Sequence, residues 1–98
     1  MELNESLSDS QVRFALWLEC RMPKLLRFFD FDKREIIPSL VEGYLEIASR
    51  TEKIMVKFIA MVWSHQNNYD FCLVEAVKNL NENQLNIVLE WIKDPIWP

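Results

Sequence analysis

The sequence predicts an all-α protein, a small bundle of five or six helices. Apolar residues recur at intervals of three and four along most of the 98-residue chain, which is the spacing of helices with one buried side. The chain has one glycine and four prolines, too few for the tight turns of a sheet-rich fold. Hydrophobic residues make up 50% and charged residues 27%, so residues 1–98 are expected to form a single helical domain.

The first helix is predicted to begin after Ser8 and to run to about Arg21. Ser8 and Gln11 have the spacing of a capping box, and Pro23 marks the end of the helix. Its apolar residues cover more than half of the circumference. This helix is therefore expected to be buried on more than one side.

A phenylalanine-rich segment follows. Phe28, Phe29 and Phe31 are expected to anchor the core from a short helix or turn. The alternative is that they form a docking knob for another protein. Asp32 can then cap a helical turn, which is predicted from Lys33 to Ile37.

The favoured interpretation of the middle of the chain is one long central helix, from about residue 38 to residue 66. Its apolar spacing keeps one phase, and no Gly, Pro or Asn lies between Tyr44 and Gln66 to build a turn. The alternative is a break at Ser49, because Ser49 and Glu52 have the spacing of a capping box. The two halves would then form an antiparallel pair inside a compact bundle.

Two more helices are predicted after a loop at residues 67–70. Asp70 is expected to cap a helix from Phe71 to about Leu80, and Asn81 to cap a last helix that Pro95 ends. The side chains expected to face the core are Phe71, Val74, Val77 and Leu80 on the first of these helices and Leu85, Val88, Leu89 and Ile92 on the second.

The sequence also contains a weak internal echo. Several residues between Asp30 and Ile47 recur forty positions later, between Asp70 and Ile87. Such an echo is typical of a duplicated helical hairpin, a short helix followed by a longer one. A chance match between two amphipathic patterns is the alternative.

The cysteines and the apolar stretches bear on the compartment. No export signal is visible at the start of the chain, so Cys20 and Cys72 are expected to be reduced, buried thiols and the protein to be cytoplasmic. The alternative is a disulfide between the two cysteines. The most apolar window, Ile54 to Trp63, is ten residues long and contains Lys57. No membrane segment is therefore expected.

Residue patterns for catalysis, metal binding or cofactor binding are scarce. His65 is the only histidine, no cysteine lies within ligand spacing of it, and it is interpreted as a polar residue at a helix end. One glycine cannot form a phosphate-binding loop, and no nucleophile has a visible base. Glu42 and Glu46, one turn apart, are interpreted as solvent-exposed charges. The expectation is a protein that is not an enzyme and has no cofactor.

Three basic residues form a candidate anion-binding face. Arg21, Lys24 and Arg27 are three positions apart and would share one helical side if the first helix resumed through Pro23. Such a face could contact nucleic-acid phosphates, which makes a nucleic-acid-associated regulator the alternative function. The simpler interpretation is a solvated face paired with acidic residues. A net charge of −4 disfavours non-specific binding to nucleic acid.

The function predicted from sequence is a non-enzymatic interaction with another protein. Four tryptophans, six phenylalanines and two tyrosines exceed what a minimal core needs, and surplus aromatic residues are common at interfaces, so a homodimer is expected. In size, acidity and helical content the chain is similar to small accessory proteins of bacteria, plasmids and phages, including inhibitors that cover a partner's surface. The candidate interaction residues are Phe28, Phe29, Phe31, Ile96 and Trp97. The last two are expected to fold back onto the domain or a second subunit rather than to serve as a free recognition peptide.

Overall fold

A computed structural model of the protein describes residues 7–98, in which eight elements of secondary structure follow one another. They are α1 (Asp9–Arg21), a 3-10 helix (Pro23–Phe28), β1 (Phe29–Asp30), β2 (Glu35–Ile36), α2 (Pro38–Ile47), α3 (Arg50–Ser64), α4 (Leu73–Asn79) and α5 (Glu82–Lys93). Six of the eight are helices, and the two strands form only a two-stranded hairpin. The predicted all-α bundle is confirmed.

The helix α3 lies at the centre of the bundle. Its buried residues occupy more than half of its circumference and are Ile54, Met55, Val56, Phe58, Ile59, Ala60 and Val62. A helix with so wide an apolar side is stable only when more than one element covers it. The Phe58 ring contacts those of Trp17, Phe71 and Trp91, with centroid distances of 6.4, 5.4 and 5.8 Å. Residues of α1, of the loop before α4, and of α5 therefore meet on α3.

The prediction of one long helix from residue 38 to residue 66 is wrong. Ala48 and Ser49 both have extended backbone, with ψ angles of 155° and 166°, and they separate α2 from α3. The Ser49 hydroxyl accepts from the Glu52 amide, and the Glu52 carboxylate accepts from the Ser49 amide, so the capping box is complete. The apolar phase continues across the break because both helices face the same core. Periodicity alone does not reveal such a break.

The predicted helical turn from Lys33 to Ile37 is also wrong. β1 and β2 pair antiparallel in this segment, with Phe29 opposite Ile36. The Asp30 carboxylate accepts from the Lys33 amide at 3.2 Å, and Arg34 takes a left-handed backbone with φ of 55°. A side chain that bonds the backbone in this way stabilises a turn in place of a helix start.

The helix after the loop begins later than predicted, at Leu73. Asp70 does not cap it, because Asp70 itself is left-handed, with φ of 58°. The side chain of Asn67 closes the loop instead: its oxygen accepts from the Phe71 amide at 2.7 Å, and its nitrogen donates to the Phe71 carbonyl at 3.0 Å. Cys72 occupies the cap position and contributes no side-chain bond.

The ends of α1 and α5 agree closely with prediction, whereas the buried sides of α4 and α5 do not. Capping boxes form between Ser8 and Gln11 and between Asn81 and Gln84. In α4 the residue facing the core is Ala76, and the residues predicted to face inward but found exposed are Val74, Val77, Leu89 and Ile92. Both helices have apolar residues on more than one side, so spacing does not determine which side packs.

The forty-residue echo does not correspond to a structural repeat. Glu35 lies in a strand, whereas its counterpart Glu75 lies in α4. Leu40 lies near the start of α2, whereas Leu80 follows the end of α4. The two stretches therefore have different secondary structures, and the duplicated helical hairpin is not present.

Candidate interaction surfaces

Two of the three candidate phenylalanines belong to the core. Phe28 is 2% exposed and Phe29 is 7% exposed, so neither side chain is available to a partner. Phe31 is partly exposed, stacks on Phe29 at 5.5 Å, and meets the edge of Trp63 at 5.9 Å. The 3-10 helix leads directly into β1 of the hairpin, and this connection places Phe31 beside Phe29. The segment is thus a core anchor, and the docking knob is not formed.

The C-terminal residues Ile96 and Trp97 lie back against the bundle. Ile96 is 6% exposed, and its carbonyl accepts from the Trp91 indole nitrogen at 2.9 Å. The Trp97 ring contacts those of Trp91 and His65, with centroid distances of 5.1 and 5.6 Å, yet remains 55% exposed. Ile96 is therefore a core residue, and Trp97 alone of the pair presents a surface.

The three basic residues do not form one free cationic face. The Nε of Arg21 donates to Oε1 of Glu90 on α5 at 2.9 Å. Arg21 and Lys24 line one groove, whereas Arg27 lines a second groove that shares only Tyr44 with the first. The Arg27 guanidinium lies over the Tyr44 ring, 4.9 Å from its centroid. Arg21 and Lys24 thus lie together, apart from Arg27, and Glu90 offsets the charge of Arg21.

The groove beside Arg21 and Lys24 has a volume of about 440 Å³ and an acidic group in its wall. The Glu52 carboxylate in this wall accepts from the Tyr44 hydroxyl at 2.8 Å and from the Ser49 amide at 3.0 Å. Hydrogen bonds from the Ser49 side chain, from Tyr44 and from the Ser49 backbone lower the pKa of Glu52 to about 2. Burial, followed by the bond to Glu52, raises the pKa of Tyr44. The hydrogen bond between Tyr44 and Glu52 therefore joins α2 to α3.

The outward side of α4 is apolar. Leu73, Val74 and Val77 are 51%, 63% and 59% exposed and lie within one turn of each other, whereas Ala76 on another side of the helix is fully buried. Sequence reasoning missed this surface because it assigned Val74 and Val77 to the core. No signal in the sequence distinguished the two sides, because apolar residues lie on more than one side of α4.

Two further apolar strips lie on other helices. Leu85, Leu89 and Ile92 follow at intervals of four and three, on the side of α5 away from Glu90 and its partner Arg21. Leu89 and Ile92 are exposed, while Leu85 is partly buried. On α2 the exposed residues Leu40 and Ile47 flank Gly43. Exposed apolar strips of this kind commonly mark contact surfaces.

The remaining candidate groups are isolated. His65 ends α3 with a left-handed backbone, φ of 60°, and packs beside Trp97. Among residues 7–98, no three His, Cys, Asp or Glu side chains come together as a metal site. Cys20 and Cys72 are free thiols, and the expectation that they are buried is wrong, since both are exposed. They lie on the outer sides of α1 and of the α4 start.

Within the described part of the chain, no helix has both the length and the hydrophobicity needed to cross a membrane. No protein-family model matches the chain, and neither a curated protein nor a solved structure does.

Proposed function

We propose that this protein is a non-enzymatic interaction module, which acts by docking an apolar surface onto another protein. The observation that carries the proposal is the outward side of α4, where Leu73, Val74 and Val77 are each more than half exposed. Side chains of this size are usually buried in folded proteins, and a cluster of them on one side of a helix is typical of a contact surface.

The energetics favour a partner at this surface. Burying a valine or leucine side chain contributes about 1.5–3 kcal/mol relative to leaving it in water. Three such side chains on one turn form a compact apolar patch, and Lys78 and Glu75 beside them supply polar groups for the rim of an interface. Because Ala76 is fully buried and α4 contacts α3, the patch is displayed on a helix whose inner side is packed.

We further propose an accessory or inhibitor type of action in the cytoplasm, in which covering the partner is the activity itself. Self-association into a homodimer belongs to the same proposal, since α2 and α5 expose further apolar strips. Catalysis is not part of it. The shifted pKa values of Glu52, Tyr44 and Tyr69 are explained by hydrogen bonds and burial within the fold.

The docking surface is tested by substituting Val77 with glutamate. We expect Val77→Glu to abolish co-purification of the partner from the organism that makes the protein, because a carboxylate in an apolar contact is costly to desolvate. Lys33→Gln is the matched control, since Lys33 is exposed in the hairpin turn rather than on α4 and the substitution changes the net charge by the same one unit. The proposal fails if both variants recover the same proteins as the wild type while melting like the wild type.

A second candidate function is binding to nucleic acid through Arg21, Lys24 and Arg27. It is favoured by the shared groove of Arg21 and Lys24, and weakened by the Glu90 and Glu52 carboxylates next to them. A titration of binding to duplex DNA and to single-stranded RNA against salt concentration separates the two functions. Phosphate contacts make the affinity fall steeply with salt, in proportion to the number of contacts.

A further inference from the structure

Gly43, the only glycine of the chain, lies in the interior of α2 without a structural reason from within the fold. Its φ is not positive, so the backbone does not require a glycine there. A Cβ atom built at this position would meet no atom within 4 Å, so close packing inside the chain does not require one either. Glycine is less favourable than alanine inside a helix. The missing side chain leaves a gap on the outer surface of α2.

The gap lies in the middle of an exposed apolar strip. Leu40, Gly43 and Ile47 follow at intervals of three and four, so they share one side of α2. Ile47 is 83% exposed, the highest value among the large apolar side chains of residues 7–98. Together with Arg27 and Phe28 the strip lines a groove of about 360 Å³. A groove with a glycine at its centre fits the backbone of another helix.

Opposite charges border the strip on its two sides. Arg27 lies on the side of Tyr44, and its guanidinium packs over the rings of Tyr44 and Phe28 at 4.9 and 5.0 Å. Glu46 lies on the other side of α2, three residues after Gly43. Neither Arg27 nor Glu46 forms an ion pair with a described residue. The strip is thus positive along one edge and negative along the other.

We infer that the occupant of this groove is the same strip of a second copy of the chain, with the two α2 helices parallel. A two-fold axis along parallel helices exchanges the two edges, so each Arg27 faces Glu46 of the partner subunit. An antiparallel pair would instead bring each edge against its own copy and oppose like charges. Gly43 allows the helices to approach, and Leu40 and Ile47 fill the contact on either side of it.

This inference rests on the self-association in the proposed function and identifies its interface. The exposed side of a ten-residue helix is smaller than the roughly 800 Å² per partner of a standard interface. A dimer that depends on protein concentration is therefore expected. It leaves the outward side of α4 free for a different partner.

The test is sedimentation analysis across a concentration series. We expect the wild type to shift from monomer to dimer, and Arg27→Glu or Glu46→Arg alone to weaken the dimer by about tenfold, because each converts two attractions into two repulsions. An equimolar mixture of the two variants should dimerise like the wild type, since every opposed pair then has opposite charges. Arg27→Lys keeps the charge and should retain the dimer. Gly43→Leu should weaken dimerisation without lowering the melting temperature of the monomer.

Each outcome distinguishes one part of the inference. A wild type that is monomeric throughout overturns both the α2 interface and the self-association, while α4 docking stands or falls on Val77→Glu. A dimer that the two charge variants leave unchanged overturns the α2 interface and retains self-association. Variants that weaken the dimer singly and fail to restore it when mixed overturn the parallel arrangement.

Discussion

Glu52 has two structural tasks at the corner between α2 and α3. Its carboxylate accepts from the Ser49 amide, which completes the capping box of α3, and from the Tyr44 hydroxyl, which joins α2 to α3. Hydrogen bonds from the Ser49 side chain, from Tyr44 and from the Ser49 backbone favour the ionised form, so the pKa of Glu52 falls from an ordinary value of 4.5 to about 2. The folded protein therefore keeps this charge at pH values where the unfolded chain has lost it.

A pH-dependent contribution to stability follows from the lowered pKa of Glu52. The contribution is complete above about pH 4.5 and is lost as the pH falls through about 2. Glu52→Gln cannot titrate, yet it retains an amide that can complete a capping box. We expect the melting temperature of the wild type to fall more steeply than that of Glu52→Gln across this range, as measured by circular dichroism. Parallel curves for the two proteins would contradict this role.

At the scale of the elements, the residues that cap the helices could be predicted from the sequence. The side of each helix that packs against the core could not. The capping boxes at Ser8 and Asn81 appear in the sequence because each needs only residues three positions apart. At Ser49 the same signal was present, but the continuous apolar phase outweighed it. The side of α4 that packs could not be predicted, because the contact of small Ala76 with the core is determined by tertiary structure.

The candidate interaction residues could likewise be predicted only in part. From the sequence alone, Phe28 and Phe29 could be either core anchors or a docking knob. The spacing of apolar residues predicts which of them share a side of a helix, but it does not predict whether that side is buried. The hairpin of β1 and β2, which Asp30 and Arg34 help to form, places Phe28 and Phe29 in the core. The sequence at Asp30 and Arg34 did not predict that two strands pair here. The exposed strip on α4 could be identified only from the structure, in which Ala76 is the buried residue of that helix.

The C-terminal tail provides a prediction at the element scale. Deleting residues 96–98 removes Ile96 from the core and removes the acceptor of the Trp91 indole, whereas deleting residues 97–98 retains both. A buried isoleucine contributes about 1.5–3 kcal/mol, and 1 kcal/mol corresponds to roughly 4–8 °C in a domain of this size. We expect the longer deletion to lower the melting temperature by several degrees more than the shorter one. Thermal melting of both deletion variants checks this, and equal melting would show that Ile96 is not docked.

At the scale of the whole molecule, the helices enclose a single continuous core. The radius of gyration of the Cα atoms is 12.9 Å, close to the roughly 13 Å of a compact domain of about 100 residues. Trp17, Trp63 and Trp91 pack against this core from three different elements. Unfolding of any part is therefore expected to disturb the packing around at least one indole.

The prediction of one domain can be tested by denaturation. We expect guanidinium unfolding curves from tryptophan fluorescence and from far-ultraviolet circular dichroism to coincide, because the same core supports all the helices. Repeating the measurement at two protein concentrations controls for self-association, which raises the midpoint of both curves together. Two separated transitions would mean that part of the chain folds independently of α3.

The central position of α3 has a consequence for how the protein is made. A ribosome completes α3 before it begins α4 and α5, so Phe58 is synthesised well before Trp91, which covers it. Until residues 73–93 have emerged, the side of α3 that they cover remains open to water and to other nascent chains. Domains generally fold as units, and exposed apolar surface of this kind promotes aggregation. The core around α3 can therefore close only after α5 has been synthesised.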